Sequence, residues 1–340
     1  IIVFSIAILP MLGVGGVQLF RAEVAGPQAD KLTPRVKQTA KLLWGIYVGF
    51  VLLLCLILKI EGMSWFDSIC HSFTTVATAG FSTKNNSIAA YSDIIQWTII
   101  IFMFIAGTNF SLHYFFISKG KFKYFKDEEF RIYSILCIIF STLFFINLIN
   151  SDKYYLDLST VRHSVFASVS ILTTTGFSTE NFNSWPEMSK TLLFFLLFIG
   201  GSAGSTVGGM KIIRSILVFK YLVYEVRKLL HPKGIFNISI GKKTIDDSVV
   251  RATLGFYLFY ILIFIATSII LSFTGLDMQT AITASAASIG NIGPGLGSIG
   301  PADNWGHLSE LAKWLTSFCM LLGRLEIFTV VVIFSRSFWK

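Results

Sequence analysis

The sequence predicts an all-α, polytopic membrane protein assembled from repeated helix–re-entrant loop–helix units, and three observations lead there. The first is composition: 54% of the 340 residues are hydrophobic, 33 are Phe, only 14% are charged, and the mean hydropathy is +0.69. A soluble domain carries about 25% charged residues, so the solvent of this chain is a bilayer. The second is that its apolar residues fall in uncharged runs about as long as a hydrocarbon core is thick. The third is a short polar motif that recurs between those runs, a fold-level signal.

In chain order, residues 1–20 are uncharged and lack the basic start and small-residue cleavage site of a signal peptide. With no initiator Met, they are expected to be the end of something longer, which makes the chain N-terminally incomplete. Uncharged runs follow at 42–58, 94–117, 132–149, 191–210 and 252–276, most of them near the ~20 residues of a spanning helix. A last run, 314–339, is interrupted by Arg324 and Glu326. The connectors 21–41, 119–131 and 211–251, with Arg324, Arg336 and Lys340, hold most of the 28 Lys and Arg residues. By the positive-inside rule that side is cytoplasmic, and the recurring motif hangs from the outer face. The net charge of +9 is explained by topology and anionic lipid and calls for no nucleic acid.

The motif is clearest at Ser170 to Thr179, too polar to span lipid and too apolar for an ordinary loop. With Gly80 laid on Gly176, Ser68 falls on Ser164, Ser72 on Ser168, Thr78 on Thr174, and Phe81-Ser82-Thr83 on Phe177-Ser178-Thr179. A weaker third copy places Gly293 at the same position and Ser285 on Ser72 and Ser168. Each copy follows a Ser/Ala/Thr-rich stretch of helical length, whose small residues let a short helix pack closely.

Non-helical backbone at membrane depth is tolerated only where protein surrounds it or water wets it. Several such segments round one axis present carbonyls to a common pore, which suits a dehydrated monovalent cation. The candidate ion-filter residues are Thr78, Ala79, Gly80 and Phe81; Thr174, Thr175, Gly176 and Phe177; and Asn291, Ile292 and Gly293. Glycine permits the backbone angles and leaves the ion path clear, while Thr78, Thr174 and Thr175 are expected to add hydroxyls. Thr-x-Gly-Phe-Ser at 78–82 and 174–178 resembles the Thr-Val-Gly-Tyr-Gly potassium filter.

A second feature interrupts the run at 191–210. Gly200, Gly201, Ser202, Ala203, Gly204, Ser205, Thr206, Val207, Gly208 and Gly209 follow one another, and each Gly disfavours helix by up to ~1 kcal/mol relative to Ala. The helix is expected to break there, near or below mid-membrane. Close helix packing needs glycines on one face, whereas these occupy every face. Arg324 costs ~2.5–3.5 kcal/mol at the centre of a spanning helix, so it is expected to face a cavity or a partner, the alternative being to snorkel to the interface.

Taken together these residues resemble the membrane subunits of bacterial Trk potassium-uptake systems, the TrkH family, within the superfamily that includes KtrB and the plant HKT transporters. Further matches are Leu9-Pro10-Met11-Leu12-Gly13-Val14-Gly15-Gly16, Arg21-Ala22-Glu23, Lys31-Leu32-Thr33-Pro34-Arg35, Asn291-Ile292-Gly293-Pro294-Gly295 and Gly323-Arg324-Leu325-Glu326. The resemblance implies four non-identical helix–pore loop–helix units around one potassium-channel-like pore. Residues 1–26 are then the second helix of an incomplete first unit, with the other units at 38–118, 131–230 and 248–340. It implies K+ at Thr78, Ala79, Gly80, Thr174, Thr175, Gly176, Asn291, Ile292 and Gly293. It also implies an intramembrane gate at Gly200, Gly201, Ser202, Ala203, Gly204, Ser205, Thr206, Gly208 and Gly209, against which Arg324 sits below the filter.

The same resemblance implies a homodimer with one pore per protomer in the bacterial inner membrane. A TrkA-type nucleotide-binding regulatory subunit would dock on the cytoplasmic segment 211–243, and the chain itself shows no nucleotide site. Cys55, Cys70, Cys137 and Cys319 have no metal-ligand spacing and read as small hydrophobes. No cofactor is expected, and no acid/base pair, nucleophile or metal cluster at membrane depth suggests an enzyme. His71 and His163 do not align with each other and read as structural or surface residues. The other transport reading is a secondary transporter working by symport with sodium or protons, which would place substrate residues at mid-membrane.

Overall fold

The structure, a computed structural model, describes residues 36–151, 153–234, 236–241, 243–325, 327–334, 336 and 339. The expected tail of a first unit at 1–26 lies outside the described residues, as does Glu326. One pattern occurs three times among the rest: a long apolar helix descends on a shorter helix, an extended loop follows it, and a further helix returns.

The first set is α1 (Val36–Ile60), α2 (Trp65–Val76), α3 (Asp93–Ala106) and α4 (Phe110–Lys119). The second is α5 (Glu128–Ile149), α6 (Leu158–Leu172), α7 (Glu187–Leu196) and α8 (Ile212–Leu230). A two-stranded hairpin, β1 (Ser239–Ile240) on β2 (Lys243–Thr244), pairs antiparallel with Ser239 opposite Thr244. The third set is α9 (Asp247–Phe273), α10 (Met278–Gly290), α11 (Glu310–Arg324) and α12 (Ile327–Ile333). Among the described residues, Lys41–Ile60, Glu128–Ile149 and Asp247–Phe273 are long and apolar enough to cross a membrane.

The short helices α2, α6 and α10 start alike. Ser64, Asp157 and Asp277 each accept the N–H three residues on, at 3.0, 2.8 and 3.0 Å, satisfying a donor that the helix cannot. Their buried faces are rich in Ser, Ala and Thr, which lets them approach the long helices closely. The aligned Ser168 and Ser285 use that closeness in the same way: their hydroxyls donate to Cys137 O on α5 at 3.2 Å and to Phe264 O on α9 at 2.9 Å. Around them lies a core that includes Leu54, Ile99, Met103, Tyr133, Phe144 and Phe166, each almost fully buried. Exposed Leu52, Leu56, Ile135, Ile138, Leu258 and Leu262 on α1, α5 and α9 give these helices apolar outer faces that suit lipid.

Two uncharged runs are not straight spans. Residues 94–117 form α3 and α4, bent by 96° at Gly107–Asn109. Asn109 caps α4 by accepting the Ser111 N–H at 2.8 Å, and the freed Gly107 carbonyl accepts the Ser202 N–H at 3.0 Å. Hydropathy registers the absence of charge across this bend but not the bend. The run at 191–210 stops being helical after Leu196, and the chain re-enters a helix at Ile212, as its glycines require.

Candidate functional site

At the foot of α2, α6 and α10 the three loops repeat one backbone. Thr78, Thr174 and Asn291 have φ of 50, 49 and 55°, and the glycines two residues on, Gly80, Gly176 and Gly293, have φ of 69, 80 and 107°. The intervening Ala79, Thr175 and Ile292 are not in the left-handed region, and each donates its N–H to the carbonyl five residues earlier: Thr74 at 2.8 Å, Ser170 at 2.9 Å and Ala287 at 3.0 Å. The third copy, thin in residue identity, thus matches the other two in backbone form. Asn tolerates the left-handed region well, which explains how it stands where the others have Thr.

The loops touch in sequence. A Cβ on Gly80 would fall on the Thr175 carbonyl, and a Cβ on Gly176 would fall on the Ile292 carbonyl with Pro294 Cδ at 2.9 Å. Outside them, the Ser178 N–H meets Ser87 Oγ at 3.2 Å, and Asn183 brackets Gly297, accepting its N–H at 3.0 Å and donating to its carbonyl at 2.8 Å. The result is an arc of carbonyl-bearing loops, each following the C-terminal, electronegative end of a helix. Such an arrangement attracts a cation without fixed charge.

One expectation is corrected here. The Thr175 hydroxyl pairs with Thr173 Oγ1 at 2.8 Å in buried surroundings, so what Thr175 can offer the arc is its carbonyl. The two aromatics also differ, Phe177 being buried and 6.0 Å from the His71 ring while Phe81 is 77% exposed. His71 and His163 hold the chain beyond each loop: His71 Nε2 meets Ser82 Oγ at 3.0 Å, and His163 Nδ1 meets Thr179 Oγ1 at 2.8 Å. Asp67, which aligns with His163, accepts from the aligned Thr83 hydroxyl at 2.6 Å.

The glycine-rich segment doubles back directly against this arc. The Gly200 N–H donates to Met210 O at 2.7 Å, and a Cβ on Gly200 would meet Gly208 O at 2.5 Å, so the two arms lie backbone to backbone. Gly208 donates its N–H to Thr174 Oγ1 at 2.7 Å, and Thr206 Oγ1 donates to Val76 O, the end of α2, at 2.9 Å. Gly204 accepts the Phe110 N–H at 3.0 Å, Ser205 Oγ donates to Ser202 O at 2.5 Å, and Lys211 Nζ donates to Val207 O. Gly201, Ala203 and Gly209 complete the turn. Arg324 reaches it as expected, its Nη1 donating to Thr206 O at 2.9 Å.

Sequence reasoning missed Asn183 and Glu129 and named Gly323 only as part of a motif. Gly323 packs so closely that a Cβ would fall on Ile289 O and lie 2.6 Å from Asn291 Nδ2. Asn183 links two loops. Glu129 accepts the N–H of Ala203 in the glycine-rich segment and that of Ile213 just beyond it. The only available signal was an acidic pair beside a basic connector, which charge counting dilutes.

Residues 1–340 match the family model TrkH, described as a cation transport protein. The Trk system potassium uptake protein TrkH of Halomonas elongata is 43% identical, over 100% of this chain and 70% of that protein. Its namesake from Escherichia coli K12 is 41% identical, over 100% and 71%. The crystal structure of the potassium transporter TrkH from Vibrio parahaemolyticus matches with a TM-score of 0.86 and 38% identity, over 100% of this chain and 70% of that one.

Proposed function

The chain belongs to the TrkH family of cation transport proteins, and on that premise we propose that it takes up potassium through the arc at Gly80, Gly176 and Gly293. As a member of a transport family it is not an enzyme, and the ion is its cargo. The observation that carries the reading is the alternation of left-handed and ordinary backbone at 78–80, 174–176 and 291–293. In an extended strand successive carbonyls alternate sides; alternating the hand of the backbone turns them to one side, where they replace the water shell of a monovalent cation.

Residues 200–209 act as the gate in this reading, lying against Thr174 and the end of α2 and tied by Arg324. The guanidinium adds a positive charge beside the ion path, raising the barrier to cations while the loop is in place. A cytoplasmic TrkA-type subunit and a second protomer have surface to dock on: α8 leaves Leu222, Val226, Leu229 and Leu230 exposed beyond the apolar layer. The bacterial inner membrane is the setting that fits these assignments.

The test is rubidium-86 uptake into proteoliposomes with potassium or sodium as competitor, for the protein and its Arg324→Ala variant. Competition by potassium, with uptake raised in Arg324→Ala, is expected. Uptake that depends on a sodium or proton gradient and is indifferent to Arg324 would replace this reading with symport.

A further inference from the structure

One side chain that the cation pathway does not use ties the glycine-rich loop to the helix that follows it. Glu129, the second residue of α5, is buried, at 6% exposure. A single oxygen, Oε1, accepts the Ala203 N–H at 2.8 Å and the Ile213 N–H at 3.0 Å. Ala203 lies in the first arm of the loop, and Ile213 in the first turn of α8, just past the second arm.

Lys211, at the N-cap position of α8, makes no capping bond with its side chain. The first N–H groups of a helix have no partner within it, and their positive end favours a carboxylate. Glu129 therefore caps α8 from a neighbouring helix and, with the same atom, fixes the loop. Its neighbour Glu128 makes no hydrogen bond with residues 200–209, pairing instead with Lys220 Nζ, two turns along α8, at 2.6 Å and accepting the Gly241 N–H of the hairpin at 2.8 Å.

We propose that Glu129 is the positioning residue of the gate: its carboxylate keeps residues 200–209 folded against the filter, and its loss releases the loop. The proposal rests on the reading of those residues as a gate. The loop and the start of α8 are joined to α5 across 74 and 84 residues of sequence by one oxygen atom, so that a single substitution reaches the first arm and the helix start that follows the second.

The experiment places a reporter, Ser205→Cys, at the half-buried loop tip and measures its modification by a membrane-impermeant thiosulfonate in proteoliposomes, with the parent lacking the reporter as background. Rubidium-86 flux is measured on the same preparations. Glu129→Ala is expected to raise the modification rate and the flux about tenfold, because two bonds are lost. Glu129→Gln, which keeps an oxygen for both N–H groups, should stay within about threefold of the parent. Glu128→Ala should leave the modification rate unchanged.

An unchanged modification rate in Glu129→Ala, or an equal rise in Glu128→Ala, overturns the proposal. Should Glu129→Ala not run as a single folded species, Glu129→Asp, which withdraws the oxygen by one methylene, decides in its place: no rise in modification overturns the anchor. A rise in modification with flux unchanged upholds the anchor and instead removes the gate reading of the loop.

Discussion

Replacing Gly176 by Ala perturbs the arc at one of its two closest loop-to-loop contacts. The position has φ of 80°, which costs an L residue about 1–2 kcal/mol. The added Cβ would also fall on the Ile292 carbonyl, with Ile292 C at 3.0 Å and Pro294 Cδ at 2.9 Å. Those atoms are backbone and a proline ring, with no flexible side chain to swing aside, so overpacking adds about 1–3 kcal/mol. The sum, about 2–5 kcal/mol, is met by moving the two loops apart, which draws carbonyls away from the ion. If the low end appears in the barrier to permeation, uptake falls roughly 30-fold, at about 1.4 kcal/mol per factor of ten. The assay is rubidium-86 uptake at matched amounts of folded protein. Gly49→Ala is the control, since a Cβ there meets nothing within 4 Å and Ala suits the interior of α1. Uptake by Gly176→Ala within a few-fold of Gly49→Ala, with the potassium preference intact, would refute the reasoning.

Thr174→Val removes the acceptor of the buried Gly208 N–H and should cost about 1–3 kcal/mol of stability, seen as earlier thermal unfolding by tryptophan fluorescence in detergent; Thr174→Ser, which keeps the hydroxyl, should cost clearly less. Acid should weaken the outer face in a defined direction. The Thr160 N–H holds Asp157 below the usual carboxylate range, and hydrogen bonds from Thr280 do the same for Asp277. A depressed folded pKa contributes stability above the unfolded value, about 3.9, that is lost as pH falls through the folded one. The melting temperature should therefore be insensitive to these caps from pH 7 to about 5 and decline below about 4, with a flatter decline in Asp157→Asn and Asp277→Asn.

What the sequence made legible was governed by local rules. Gly80, Gly176 and the break at 200–209 follow from the conformational freedom of glycine, and the long helices from runs without charge. The loop at Gly293 was the faintest in residue identity yet repeats the backbone of the others, because Asn and Thr both satisfy the left-handed position. Side-chain direction was out of reach. Thr174 and Thr175 are chemically alike, but one hydroxyl meets Gly208 and the other turns back to Thr173. The bend at Gly107–Asn109 depends on Ser202 meeting Gly107 and Phe110 meeting Gly204, each across more than ninety residues, and the role of Glu129 on donors in another segment.

The carbonyl arc and the glycine-rich loop are joined through the same side chains, and that explains where the repeat loses its symmetry. Thr78 and Thr174 occupy equivalent positions with nearly equal φ, yet the Thr78 hydroxyl donates to its own neighbour, Ala77 O, at 2.8 Å, while that of Thr174 receives Gly208. On the far side of the loop, Gly323 leaves no room for a Cβ against Ile289 O, which holds α11 close enough for the next residue, Arg324, to reach Thr206 O. Polar contacts therefore run from α11 through Thr206 and Gly208 to the backbone turn of one filter loop. A loop that left this position would strip Thr174 of a partner and Arg324 of its carbonyl in the same movement. On the proposed reading of 200–209 as a gate, its movement and the geometry of the arc are consequently coupled at the 174–176 loop, where the Thr174 hydroxyl holds Gly208.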